Sequence, residues 1–99
     1  MSEKRKRENM IYLEKRKAFL RVNQFCQAWD KINEWLWWNG LDTFSSWGDY
    51  HPRSTEIHHT KKPRAKYLND ESTWLAVCRA SHRWIEDNKS SARLIGLLQ

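Results

Sequence analysis

Two stretches decide how this chain is read: Thr55-Glu56-Ile57-His58-His59-Thr60-Lys61-Lys62 and Thr73-Trp74-Leu75-Ala76-Val77-Cys78-Arg79-Ala80-Ser81-His82-Arg83-Trp84-Ile85-Glu86. In the first, Thr55, Glu56 and Ile57 can form a short strand that delivers two adjacent histidines. In the second, residues 74 to 78 are apolar and β-prone and read as another short strand. Ser81 is a candidate N-cap for a helix running to about residue 88. The strands are near enough in sequence to pair, and the helix follows at once, so the spacing predicts a ββα unit.

Working outward, residues 60 to 69 form a basic loop containing Pro63, and residues 41 to 55 hold Asp42, Ser45, Ser46, Gly48, Asp49, His51 and Pro52, which is loop chemistry. Before them Tyr12, Phe19, Val22, Phe25, Trp29, Ile32 and Leu36 recur at helical spacing. They predict a helix from about residue 8 to about residue 38, with a break near Asn23-Gln24 and a stop at Gly40. Past the second stretch, Ser90 or Ser91 starts a last short helix over residues 92 to 95, ended by Gly96. The expected fold is α+β and mostly helical. A long N-terminal helical support and Trp-rich brace, residues 1–53, packs on a ββα unit with a short C-terminal helix, residues 54–99, in one compact domain.

The chain has 99 residues, which suits one domain with a modest core. Lysine and arginine outnumber acids by 18 to 12, giving +6. That excess favours a polyanionic partner, nucleic acid most simply, with an anionic membrane surface as the competitor. No apolar run is long enough to span a bilayer. No apolar signal core follows Met1-Ser2-Glu3-Lys4-Arg5-Lys6-Arg7, so the expected location is the reducing cytoplasm. Cys26 and Cys78 cannot build a disulfide framework and read as small buried apolar residues. Trp29, Trp74 and Trp84 fit the apolar patterns and should pack beneath the ββα unit. Trp37 and Trp38 are adjacent, so at least one should be exposed, open to base stacking or to a protein partner.

The chemistry rests on four residues. On a helix, His82 and Glu86 lie one turn apart and project from the same face, so they could grip one metal ion. On a strand, His58 and His59 point to opposite faces. One should face the metal, and the other should face a different part of the site, free to act as a base. Two histidines and a carboxylate, with water in the open positions, make a site of the catalytic type. The plain alternatives are two loop histidines on the surface and a solvated helix pair that binds nothing. Lys61, Lys62, Arg64 and Lys66 can hold backbone phosphates of DNA, with Arg79 and Arg83 as candidates nearer the metal. His51, beside Pro52, is a bystander.

Together with Tyr67-Leu68-Asn69-Asp70 and the tail Ser91-Ala92-Arg93-Leu94-Ile95-Gly96-Leu97-Leu98, the two opening stretches resemble the HNH (His-Me finger, ββα-metal) endonucleases, the small bacteriophage type above all. The similarity spans roughly residues 54 to 98. It implies a metal-dependent hydrolase of DNA phosphodiester bonds in the cytoplasm of a bacterial host. His58, His82 and Glu86 would hold one divalent ion, Mg or Mn first, Zn or Ni next. His59 would be the general base that activates water. Glu86 stands where relatives often place a histidine. The family's middle asparagine, which braces the loop positioning the base, falls at Thr73, whose hydroxyl makes fewer hydrogen bonds than an amide. Many relatives hold a structural zinc with two Cys-x-x-Cys pairs. Here the pairs would read Cys26 with Trp29 and Cys78 with Ser81, which implies no structural zinc. The departures at Thr73, Ser81 and Glu86 also leave open a catalytically weak or inactive scaffold that binds DNA or a protein partner, as a packaging accessory or nuclease inhibitor.

Overall fold

The computed structural model describes residues 2–44, 48, 50–62 and 67–99. Its elements, in chain order, are α1 (Glu3–Val22), α2 (Trp29–Trp38), β1 (Glu56–His59), a 3-10 turn (Glu71–Thr73), β2 (Trp74–Val77), α3 (Arg79–Asp87) and α4 (Lys89–Leu94). The fold is α+β: helices around a two-stranded antiparallel sheet.

The helical stretch expected over residues 8 to 38, with a break near Asn23-Gln24, is two helices that part at that break. α1 begins at Glu3, before the apolar pattern does, because the Ser2 hydroxyl accepts the Arg5 backbone N–H at 3.2 Å and Glu3 sits in the first turn, where the helix dipole favours an acid. The Lys-Arg run is therefore helical. α1 ends at Val22, where the Asn23 side-chain amide donates to the Phe19 carbonyl at 3.0 Å and closes the last turn. Residues 23 to 28 then run across the molecule instead of continuing the helix. Cys26 N–H donates to the Pro52 carbonyl at 2.9 Å, and Ser54 N–H to the Gln24 carbonyl at 2.8 Å. Gln27 pairs with Ala76 twice, its N–H to the Ala76 carbonyl and its side-chain carbonyl to the Ala76 N–H, each at 2.8 Å. The connection thus completes the free edge of β2, satisfying backbone groups that α-helix would have left orphaned.

β1 pairs β2 in the register Glu56↔Val77, Ile57↔Ala76, His58↔Leu75 and His59↔Trp74. Both histidines are strand residues rather than the residues just beyond the strand. The core gathers Ala28, Ile32 and Leu36, spaced by four on and just before α2, against Val77 of β2, Ile85 of α3, Ala92 of α4 and Leu97. α1 buries no residue fully. It crosses the sheet through Tyr12 and Phe19, whose rings meet Trp74 edge-on at 5.6 and 5.4 Å.

Two helix starts also differ from the sequence expectation. α3 is capped by Cys78, not Ser81, which is fully buried in the helix's first turn. α4 opens at Lys89, ahead of both serines, and closes through Gly96 at φ +82°. That left-handed residue lets Leu97 N–H reach back to the Ala92 carbonyl at 2.9 Å, so the chain reverses and buries Leu97. Trp29 and Trp74 are buried, Trp84 is half-buried against Trp35 at 5.6 Å, and Trp37 and Trp38 are both exposed. Among the described residues no helix is long and apolar enough to cross a membrane.

Candidate metal centre

The alternation of β1 sorts its side chains. Glu56 and His58 take one face and Ile57 and His59 the other. α3 follows β2 after a single residue and lays its first two turns along the Glu56–His58 face. There the His58 and His82 rings meet at 5.3 Å, and Glu86 stands one helical turn beyond His82. One ligand atom from each of His58, His82 and Glu86 lies within 4.8 Å of the others.

Hydrogen bonds decide which nitrogen each imidazole offers. His58 is buried, with 2 % of its surface exposed, and its Nε2 lies 2.7 Å from the Leu97 carbonyl oxygen. A carbonyl only accepts, so Nε2 carries the proton and Nδ1 keeps the lone pair. His82 Nδ1 lies 2.9 Å from Glu56 Oε1, so Nδ1 carries the proton there. The lone pair is then on Nε2, which faces Glu86 Oε1 at 3.7 Å. Two acceptors facing each other call for a positive centre between them, either a proton on the ring or a cation. The carboxylate–histidine pairing of Glu56 and His82 is also the usual outer support of a metal-ligating histidine. A cation about 2.1 Å from each donor needs them about 3 to 3.5 Å apart, so the three donors, now within 4.8 Å of one another, would draw together on binding one. The donor set therefore fits a divalent ion. Its two imidazoles suit Zn²⁺ or Ni²⁺, and also Mn²⁺, better than Mg²⁺.

Burial pushes both paired histidines below the ordinary imidazole pKa. For His58 the burial effect is joined by the nearby His82 and opposed by the Leu97 carbonyl and Glu86. For His59 it is joined by His58 and His82. Both rings are therefore neutral near pH 7, the state that a ligand or a base requires.

His59, on the opposite face, packs between Tyr12 and Trp74, with ring centroids 5.8 and 6.0 Å away. Its Nε2 lies 3.4 Å from the Tyr12 hydroxyl, and its buried Nδ1 has no hydrogen-bond partner among the described residues. Residue His59 nonetheless lines a cleft of about 250 Å³ that Glu86 also lines, together with Thr60, Lys62, Lys89, Arg93, Leu98 and Gln99. His59 and a candidate metal ligand thus open onto one space.

Thr73 does not reach that space. Its hydroxyl donates to the Asp70 carbonyl at 2.7 Å. Its own carbonyl accepts both the backbone N–H and the hydroxyl of Thr60, at 2.8 and 2.9 Å. The residue after His59 is thereby pinned by the Thr73 backbone and the Thr60 side chain. The bracing expected of the Thr73 side chain comes from elsewhere.

Of the cations read as phosphate contacts, Lys62 lines the cleft. The Lys61 ammonium sits over the Tyr67 ring at 4.9 Å. Arg79 and Arg83 line a second hollow with Glu56, His82 and Glu86, on another side of the candidate metal position. Arg64 and Lys66 lie outside the described residues. His51 is exposed and touches none of these groups. Sequence reasoning missed Glu56, Lys89 and Arg93. Glu56 had a signal, since it stands two residues before His58 on a strand. Lys89 and Arg93 had one in their spacing of four within the last helix.

Three of the four residues matched with a structural zinc site come together. Cys26 Sγ lies 3.2 Å and Cys78 Sγ 3.3 Å from the Ser81 hydroxyl, and Ser81 N–H donates to Cys78 Sγ at 3.5 Å. The Cys26 thiol is pushed up by sharing its proton with Cys78 and by burial. Cys78 is lowered to about 5 because its sulfur accepts from Cys26 and from Ser81. The fourth residue, Trp29, stacks on Phe44 at 4.9 Å, and its buried indole N–H has no partner among the described residues.

Comparison of the chain with protein-family models, with curated proteins and with solved structures found no match.

Proposed function

We propose that this chain is a metal-dependent endonuclease of the HNH kind, with β1, β2 and α3 as its ββα-metal unit. The observation that carries the reading is the convergence of His58, His82 and Glu86 from a strand and the following helix, with His59 on the cleft that Glu86 shares. The contact of Cys26, Cys78 and Ser81, residues that the resemblance alone paired, supports it independently of the metal ligands.

When bound, a divalent ion at His58, His82 and Glu86 would supply positive charge to a phosphate oxygen and to the leaving 3′ oxygen. The remaining work falls to the protein. Leu97 and Glu56 hold the two imidazoles in the tautomers that present lone pairs. Neutral His59 takes the proton of the attacking water. With Nε2–H given to the Tyr12 hydroxyl, the acceptor atom is Nδ1, which the ring would have to turn toward the cleft to meet the water. Lys62, Arg79 and Arg83 hold backbone phosphates on either side.

A plasmid-nicking assay with Mg²⁺, Mn²⁺, Ni²⁺ or Zn²⁺ tests this. His59→Ala should abolish nicking while leaving metal binding and far-UV circular dichroism unchanged. Equal nicking by that variant ends the proposal.

A second reading is an HNH-like scaffold that binds DNA or a protein partner without turnover. The buried Nδ1 of His59 and the inward-turned Thr73 hydroxyl favour it. Wild-type protein that binds DNA tightly in EDTA and never nicks, with any of the four ions, would select this reading.

A further inference from the structure

Lys89 and Arg93 stand four apart on α4, so they occupy one face of that helix. Both line the cleft with Lys62, which arrives from the far end of β1. Among the described residues none of the three cations makes an ion pair, although most lysines and arginines near a concave surface find an acid when one is at hand. Among the described residues the acidic side chain on the cleft wall is Glu86, which faces His82. α4 is also fixed relative to β1. Leu97, just past it, accepts from His58, and Gln99 N–H donates to the Thr60 carbonyl at 2.8 Å. The cations are therefore held at a set position beside His59 and Glu86. Three positive charges around a concavity, without an ion pair among the described residues, focus the field inward and favour an anion.

We propose that Lys62, Lys89 and Arg93 form a phosphodiester-binding subsite that grips the backbone of duplex DNA without help from the metal. The guanidinium offers a two-pronged contact to one phosphate, and the ammonium groups act as point charges on it and on its neighbour. The subsite rests on the nuclease reading only in putting the reactive phosphate next to the one it holds; the grip itself needs neither the ion nor turnover.

The test is fluorescence anisotropy of a labelled short duplex DNA, titrated with full-length protein in EDTA over a series of NaCl concentrations. Lys89→Ala/Arg93→Ala should weaken binding roughly ten-fold or more at low salt and make the salt slope shallower by about one to two. Lys89→Arg, which keeps the charge at that position, should bind like wild type. Leu94→Ala, at an exposed residue of α4 that does not line the cleft, should also bind DNA like wild type in EDTA. An alanine pair with unchanged affinity and slope overturns the subsite, and so does a wild-type protein that binds no DNA. Failure to nick DNA in any metal, with these binding results intact, would instead remove the nuclease reading and leave the subsite standing.

Discussion

His58 Nε2 donates to the backbone carbonyl of Leu97 at 2.7 Å, so a residue just past the last helix decides which nitrogen of a strand histidine carries the proton. The same logic is repeated at His82, whose Nδ1 is held by Glu56 at 2.9 Å. These outer contacts turn two imidazoles that could face anywhere into a pair whose lone pairs are set before any ion arrives.

Glu56→Gln keeps an oxygen for the His82 N–H but removes the charge that makes the imidazole a stronger donor to metal. Affinity for Mn²⁺ or Zn²⁺, measured by calorimetry, should fall about 10- to 100-fold with the fold unchanged. His82→Ala should abolish binding. A Glu56→Gln affinity within two-fold of wild type would show that the carboxylate does not tune the site.

Stability of the metal-free protein should depend on pH through the buried His58 and the half-buried His59. Burial lowers the pKa of both from the ordinary 6.5. As pH falls through about 6.5, the unfolded chain takes up protons that the folded chain still refuses. The unfolded state then binds more protons, so the free energy of unfolding falls as pH falls and rises again with pH. The urea midpoint in EDTA should therefore climb from about pH 5 to about pH 7 and level off above. His59→Gln should flatten part of the climb. An unchanged midpoint across that range would contradict the burial of these rings.

Ile32 of α2 and Ile85 of α3 are fully buried in the same core cluster. Truncating either to alanine removes buried methyl groups and leaves a void, at about 2 to 5 kcal/mol. That is a large share of the 5 to 15 kcal/mol typical of a domain. Leu94→Ala, at a residue 81 % exposed, should change stability by less than about 0.5 kcal/mol. Urea denaturation compares the three directly.

Cys26, Cys78 and Ser81 share a small polar contact without a fourth donor, since Trp29 gives its ring to Phe44. Protein refolded with excess zinc and desalted should hold at most one ion per chain. Cys26→Ser should keep it, and His82→Ala should lose it. A second zinc that disappears in Cys26→Ser would establish a structural site there.

Several parts of this protein were written in its local order. Apolar residues four apart marked α2, β-branched and aromatic residues marked β2, and the glycines at 40 and 96 marked helix ends, both with positive φ. The adjacency of His58 and His59 on a strand predicted opposite faces, and the spacing of His82 and Glu86 predicted a shared one. Periodicity registers these things because side-chain direction follows from backbone geometry within a few residues. It could not say that residues 23 to 28 would leave the helix to pair with Ala76, because helical propensity there competes with hydrogen bonds to a strand some fifty residues away. Nor could it assign Leu97 to His58, Glu56 to His82, or Lys89 and Arg93 to the cleft of His59. Those partnerships arise only when the core around Ile32, Val77 and Ile85 closes and brings distant segments into register, so they belong to packing rather than to any stretch of sequence.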